Sequence, residues 1–259
     1  MLSIALATLV CAEPATGVWT PLAPGVEYAQ RALDPKKPAR LHVVRVDPEK
    51  AELKLGIASR DGRGRTAAAW ADELGLLVVT NAGMFDVGDH VKHVGRLVDG
   101  AHVNQGAYNG YQSALLFHPK KEGLPKAQLV DLDAEGSKAL AASYGAVVQN
   151  LRLVKGPGLS VWRPNGRAWS EAAIAQDKRG RILFLFVREG HQMSDFNRLL
   201  LESDLEVVRA MHVEGGPEAS LSLRGPLNED FCGSYETGFF ERDTNVEQWE
   251  LPNVLGVAK

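Results

Sequence analysis

The residues best suited to chemistry lie in two short glycine-containing segments that are far apart in the chain. The segments are residues 81–85, NAGMF, and residues 214–220, EGGPEAS. Each directly follows an apolar run, 76–79 and 207–213, which is typical of a strand that ends in a tight turn. Glycine lets the backbone approach a ligand closely, and the polar side chains beside it, Asn81 and Glu214, supply the chemistry. We therefore expect a functional site at these strand ends.

Glu214 is the carboxylate most suited to catalysis, because it ends an apolar strand and meets two glycines at once. Partial burial there raises the pKa of a carboxyl group and favours acid or base service, whereas a nearby arginine would keep it ionised as an electrostatic stabiliser or nucleophile. The alternative is a glutamate that caps its own turn. Glu218 offers a second carboxylate or a solvated loop charge, and Ser220 offers a hydroxyl for a ligand oxygen or a plain strand-edge serine.

Asn81 carries both a donor and an acceptor, so it is suited to orienting a sugar hydroxyl or a water, or to satisfying turn amides. The loop that follows concentrates the ligand types Asp86, Asp89, His90 and His93, whose spacing suits a divalent metal as a minor alternative. This loop lacks a finger or EF-hand pattern. We therefore predict a site without a metal or other cofactor.

Residues 103–112, VNQGAYNGYQ, hold four carboxamides and two tyrosines, a composition suited to hydroxyl-rich ligands. Trp162, Trp169 and Arg163 extend such a surface, although tryptophans are more often packed in a core or at an edge. The chain has neither a G-x-S-x-G nucleophile turn nor a G-x-G-x-x-G that opens a helix. These absences argue against a serine hydrolase and against a dinucleotide-binding fold.

Composition excludes some partners and indicates export. The 259 residues carry a formal net charge of -3, so neither nucleic acid nor an anionic membrane surface is an expected partner. Residues 2–11 are apolar and end in small residues, which predicts a signal peptide over 1–12 and a periplasmic or secreted protein without stable membrane insertion; a buried first strand is the alternative. Only Cys11 and Cys232 are present, so the mature chain would contain no intramolecular disulfide.

The elements that must position these residues are mostly strands. Apolar and alternating runs predict strands at residues 41–46, 53–58, 76–80, 96–98, 114–118, 146–149, 172–176, 182–187 and 207–213. Turn residues at 99–100 and 177–180 predict two hairpins, and helices are expected from the N-cap Thr66 to Gly75 and from Ser194. We predict a single α+β domain over residues 13–259, with a large mixed, mainly antiparallel sheet covered by a few helices.

The order of these motifs resembles that of the phosphodiester glycosidase family. Residues 81–85 resemble its N-A-G-x-F turn, 95–100 its glycine and following hairpin, 109–110 its next polar turn, and Gln149 with 156–157 its V-Q-x-G-P region with an insertion. Residues 214–216, EGG, stand where the family carries D-G-G. Two positions depart from the pattern: Glu214 replaces an aspartate, and Glu171 stands where an arginine suited to phosphate is usual. Arg163, Arg167 or Arg96 would then supply that charge.

The resemblance implies an exported hydrolase that cleaves a glycosyl phosphodiester or related sugar linkage, with a small-molecule or glycan substrate. The two departures also motivate an alternative, a non-catalytic envelope protein that binds glycan or peptidoglycan fragments. A third alternative is metal-assisted hydrolysis through the 86–93 loop. The resemblance and the residues together assign catalysis to Glu214 and Asn81, and substrate binding to Gly83, Phe85, Arg96, Asn109, Gln149, Gly215, Gly216, Glu218 and Ser220.

Overall fold

The computed structural model describes residues 17–34 and 39–259. The predicted signal peptide and Cys11 lie outside these residues, so cleavage after residue 12 remains a prediction. Cys232 is a free, half-buried thiol. None of the helices in the described part of the chain has the length and apolar character needed to cross a membrane.

Four α-helices are described: α1 (Ala58–Asp61), α2 (Ala67–Leu74), α3 (Ser137–Ala142) and α4 (Met193–Glu202). The strands in the first half of the chain are β1 (Thr20–Ala23), β2 (Val26–Ala32), β3 (Arg40–Val46), β4 (Leu53–Ile57), β5 (Leu76–Asn81), β6 (Phe85–Asp86), β7 (Asp89–His93), β8 (Leu97–Asp99), β9 (His102–Gln105) and β10 (Ser113–Pro119). Those in the second half are β11 (Ala127–Asp131), β12 (Tyr144–Lys155), β13 (Leu159–Ser160), β14 (Trp169–Asp177), β15 (Ile182–His191), β16 (Val207–Gly215), β17 (Ser220–Leu223), β18 (Asp230–Cys232) and β19 (Asn253–Ala258).

The strands form two main sheets. The larger has twelve strands: nine follow the path β1-β2-β3-β15-β14-β16-β12-β10-β11, β8 and β13 pair with β12, and β9 pairs with β8. The smaller has the order β18-β17-β5-β19-β4. Every described strand pair in both sheets is antiparallel, so the predicted mixed sheet is wrong in that respect. Strand content of 48% against 13% helix makes the fold mainly β, and the few predicted helices are a minor part of it.

The two sheets pack face to face because alternate side chains along their strands are apolar and point to the same side of the sheet. In β15, Phe184 and Phe186 point into the core shared with Leu55 and Leu221 of the smaller sheet, whereas the intervening Leu185 belongs to a second core that includes Phe196 of α4. Helix α2 covers the outer face of the smaller sheet through the buried Trp70. The result is a helix, sheet, sheet, helix layering.

Helix α2 confirms its predicted caps. The Thr66 side chain accepts a hydrogen bond from the backbone N–H of Ala69 at 3.1 Å, and Gly75 ends the helix in a left-handed conformation. Helix α4 begins at Met193 rather than at the predicted Ser194. Its N-cap is Gln192, which forms no side-chain cap because its Oε1 accepts the N–H of Gly166 instead, at 3.0 Å.

Both predicted hairpins are confirmed. β8 pairs with β9 across the 99–100 turn, and β14 pairs with β15 across 177–180. The observed strands extend further than their apolar runs, and β12 continues to Lys155. The apolar pattern underestimates the length of these strands because the backbone pairing continues through polar residues at their ends.

Candidate active site

The turn at residues 214–220 carries the chain from one sheet to the other. β16 of the larger sheet ends at Gly215, residues Gly216–Glu218 form one turn of 3-10 helix, and β17 of the smaller sheet begins at Ser220. Gly216 adopts φ +66°, a left-handed conformation that favours glycine. The sequence therefore places a sharp crossing between sheets at the predicted site.

Asn81 joins the two predicted segments. Its Nδ2 donates to the carbonyl of Glu218 at 3.0 Å, and its Oδ1 accepts the N–H of Ser220 at 2.8 Å. Asn81 is only 1% exposed, so both ends of the carboxamide are used on the protein backbone. Asn81 thus satisfies amide and carbonyl groups of the turn, which is one of the two uses that its residue type allows, and its catalytic role remains a prediction. The buried Ser220 hydroxyl likewise donates to the Glu218 carbonyl, at 3.1 Å.

Three carboxylates surround this turn. Burial raises the pKa of Glu214 to about 8, with the charge of Glu218 adding to the effect and His212 opposing it. Burial also raises the pKa of Glu218 to about 7, and the negative charge of Glu236 adds to it. A Cβ atom built on Gly216 would lie 2.5 Å from Oε2 of Glu236 and 3.5 Å from Oε2 of Glu218. The bare glycine is thus what allows these carboxylates to gather.

Behind Glu214 lies a buried pair formed by Glu171 and His212 on the neighbouring strands β14 and β16. Nδ1 of His212 is 2.7 Å from Oε1 of Glu171, and Trp169 Nε1 donates to Oε2 of Glu171 at 2.8 Å. Burial alone would lower the pKa of His212, but the Glu171 carboxylate and the charges of Glu214 and Glu236 raise it overall. The neighbouring carboxylate thus favours the charged form of His212, against the effect of burial.

These groups line a cavity of about 190 Å³. Its walls are Met84, Leu151, Trp162, Arg167, Trp169, His212, Glu214, Gly215 and Glu236. Gly215 makes room for the indole, since a Cβ there would lie 2.5 Å from Cδ1 of Trp169. The guanidinium of Arg167 forms no ion pair or hydrogen bond within the part of the chain that the structure describes. Of the cations suggested by the sequence, Arg167 lies in the cavity, whereas the exposed Arg163 does not.

Gln149 holds the carboxamide-rich loop. It is fully buried; its Oε1 accepts the N–H groups of Arg96 at 2.9 Å and Asn109 at 3.2 Å, and its Nε2 donates to the carbonyl of Tyr111 at 2.6 Å. The guanidinium of Arg96 donates to the carbonyl of Gly106 and lies 5.0 Å from the ring of Tyr108. Gln149 and Arg96 thus make these contacts within the protein, and the substrate-binding roles expected for them remain predictions. Burial raises the pKa of Tyr111, and the charge of Glu214 adds to this effect. The loop that carries Tyr111 therefore lies near Glu214.

The exposed Asn109 also serves its own loop. Its Oδ1 accepts the N–H of Tyr111 at 2.9 Å, and its Nδ2 donates to the carbonyl of Val94 at 3.2 Å. Gly83 lies where any Cβ would collide with Asn150 and His93. Both residues therefore shape the local backbone, and their expected contact with substrate remains a prediction.

The 86–93 loop is a hairpin whose possible metal ligands point in different directions. Asp86 faces Asp89 across the exposed turn, and His90 contacts the ring of Phe85 edge-on, with centroids 5.8 Å apart. His93 is fully buried, and its Nδ1 lies 2.8 Å from the carbonyl oxygen of Gly95. Among residues 17–34 and 39–259, no three His, Cys, Asp or Glu side chains are grouped so that they could hold a metal ion.

Sequence reasoning missed two members of the site. Glu236 follows no strand and belongs to no motif, and the 233–250 region that carries it is mostly irregular. The pairing of Glu171 with His212 was hidden because the two residues are 41 positions apart. The one available signal was that His212 lies between the apolar Met211 and Val213 near the end of β16.

Comparisons with known proteins agree with this geometry. A family model described as phosphodiester glycosidase matches residues 75–258. A hypothetical protein from Synechocystis is similar in structure, with a TM-score of 0.63 and 14% identity over 90% of this chain, which spans 62% of that protein. A second similar structure is the catalytic domain of zebrafish N-acetylglucosamine-1-phosphodiester alpha-N-acetylglucosaminidase, auto-inhibited by its pro-peptide. Its TM-score is 0.60 and its sequence identity is 14%, and the match covers 93% of this chain and 84% of that one.

At this identity the two solved structures show a shared fold, and a search of curated proteins gives no match. The family model carries the assignment, because it covers more than half of the chain and contains the 81–85 and 214–220 segments. The chain belongs to the phosphodiester glycosidase family.

Proposed function

We propose that this protein is an exported hydrolase that cleaves a glycosyl phosphodiester or a related sugar linkage, with Glu214 as its acid/base residue. One observation carries the proposal. The carboxyl group of Glu214, whose pKa is raised to about 8, lines the same cavity as the unpaired guanidinium of Arg167 and the ring of His212. Cleavage at a phosphate-linked anomeric carbon uses a cation that binds the phosphate and an acid at the bond that breaks, and this cavity offers Arg167 for the first and Glu214 for the second.

The chemistry follows from these groups. The guanidinium of Arg167 attracts the phosphate and the ring of His212 offers it a hydrogen bond, while the indoles of Trp162 and Trp169 offer apolar faces for a sugar ring. The bond between the anomeric carbon and the phosphate oxygen breaks, and that oxygen takes the proton of Glu214. Water adds to the anomeric carbon and gives its proton to Glu218 or Glu236. Positive charge also develops at the sugar carbon, and the carboxylate of Glu236 in the same cavity stabilises it.

The test is hydrolysis of a panel of sugar-1-phosphate methyl diesters by the purified protein and by Glu214→Gln. The wild type should release sugar, and the variant should lose roughly 10²- to 10⁴-fold in kcat, the range for a positioned acid or base. Glu135→Gln, on an exposed loop away from the cavity, is the matched control. Inactivity of the wild type on every diester, or an equally active Glu214→Gln, would count against the mechanism. Binding of the diesters without turnover would favour the non-catalytic alternative.

Export rests on the sequence of residues 1–12. Expression of the full chain with its own N-terminus in a bacterial host tests it. The mature protein should begin at Glu13 and be found outside the cytoplasm. A cytoplasmic product that retains residues 1–12 would overturn the export proposal and leave the proposed activity unaffected.

A further inference from the structure

A second cavity, of about 510 Å³, opens beside the acidic turn. Its apolar walls include Phe85, Val87, Val91, Phe239 and Trp249. The rings of Phe239 and Trp249 meet edge-on with centroids 6.3 Å apart. Concave, aromatic-lined cavities of this size are typical of small-molecule sites.

The apolar side chains of this cavity are unusually exposed for a folded domain. Val87 is 86% exposed, Phe239 is 61% exposed and Val91 is 40% exposed. Val87 and Val91 belong to the β6–β7 hairpin, which forms a separate two-stranded sheet. Exposed apolar groups that converge on one concavity mark a surface that a ligand covers.

Both cavities have carboxylates and a histidine in their walls, but only the first has an arginine, Arg167. The ionisable walls of the second cavity are His90, Glu218 and Glu250, and neither lysine nor arginine is among its described lining residues. A phosphate is therefore disfavoured here, whereas Arg167 and His212 favour it in the first cavity. A sugar is also poorly served, because its hydroxyls would face mostly aromatic and aliphatic walls.

The two cavities meet at the acidic turn. Glu218 lines the second cavity, and its carboxylate shares the space beside Gly216 with that of Glu236, which lines the first. The backbone of Glu218 is fixed by Asn81, so this shared wall is rigid. A substrate whose sugar and phosphate occupy the first cavity thus has an apolar space next to it.

We propose that the second cavity binds an uncharged apolar group, aryl or alkyl, esterified to the phosphate on its leaving side. The inference rests on the proposed function, because only a glycosyl phosphodiester substrate would carry such an ester group. It assigns this member of the family a substrate class with an apolar leaving alcohol.

The experiment compares methyl and benzyl diesters of the same sugar-1-phosphate. Because burying a ring-sized apolar group contributes about 1.5–3 kcal/mol, the benzyl diester should show a KM lower by about tenfold or more. Phe239→Ser and Val87→Ser should each reduce this preference for the benzyl diester. The second variant keeps the test valid if the first one fails to fold. Val246→Ser, at a valine that is 83% exposed and outside the cavity, is the matched control and should retain the preference.

A binding measurement separates this proposal from the proposed function. Calorimetric titration of Glu214→Gln with the methyl and benzyl diesters measures binding without the proposed acid. The benzyl diester should bind more tightly than the methyl diester, by a margin that Phe239→Ser in the same chain reduces. If neither diester is hydrolysed but this difference is observed, the hydrolase proposal fails and the apolar site stands. If both diesters are cleaved with equal KM, or if the preference survives in both serine variants, the apolar site is refuted and the hydrolase stands.

Discussion

The raised pKa of Glu214 predicts a specific dependence of stability on pH. Its carboxyl group titrates at about 8 in the folded protein and near the usual 4.5 when unfolded. Between these values the folded state holds a proton that the unfolded state has lost. Stability from this group is therefore fully present below pH 4.5 and is lost as pH rises through 8, by about 1.4 kcal/mol for each pH unit. Between pH 5 and 7 the loss is about 2–3 kcal/mol.

Urea unfolding of the wild type and of Glu214→Gln at pH 5, 6, 7 and 8 measures this loss. The variant cannot titrate at residue 214, so the wild type should lose stability relative to it as pH rises. Glu218, with a pKa raised to about 7, adds a slope of the same sign to both proteins, which cancels in the difference. Glu135→Gln is the matched exposed control and should retain the wild-type slope. A difference between wild type and Glu214→Gln that stays constant from pH 5 to 8 would refute the assignment.

Three further substitutions test the architecture of the site. Gly216→Ala should lower the free energy of unfolding by about 1–3 kcal/mol more than Gly123→Ala, because both glycines have positive φ but only Gly216 has a carboxylate against it; equal losses in urea unfolding would contradict this. His212→Gln should cost about 3 kcal/mol by leaving Glu171 buried without its partner, and Glu171→Gln in the same chain should recover part of it. Additive losses in that double-mutant cycle would argue against coupling. Asn81→Ala should cost about 1–3 kcal/mol by freeing two backbone groups of the turn, and an unchanged unfolding midpoint would contradict that role.

Local structure was predictable where local chemistry decides it. The caps of α2 at Thr66 and Gly75 and the turns of the two hairpins depend on a few neighbouring residues, and all were recovered from the sequence. The two glycine segments were expected to meet, and the hydrogen bonds of Asn81 show that they do. Each of these features carries its own signal because the residue type and the backbone conformation are directly linked.

The arrangement of the site was less predictable because it depends on long-range pairing. An apolar run does not state which sheet it joins, so the division into two sheets at the 214–220 turn was missed. The sequence left Asn81 open between a sugar hydroxyl or water and the turn amides, because an amide suited to a sugar hydroxyl is equally suited to a peptide group. In the structure both Asn81 and Gln149 bind backbone groups. Glu236 entered the site from an irregular segment that has no periodicity to interpret.

The crossing between sheets has a mechanical consequence. Glu214 is the second-last residue of β16 in the larger sheet, whereas the carbonyl of Glu218 is hydrogen-bonded to Asn81 at the end of β5 in the smaller sheet. The spacing of these two acids is therefore a measure of how the sheets are stacked. Substitutions in the core between the two sheets, such as at Phe184 or Leu221, can change the distance between the two acids without altering either acid. The packed interior thereby acts as the frame on which the two acids are aligned.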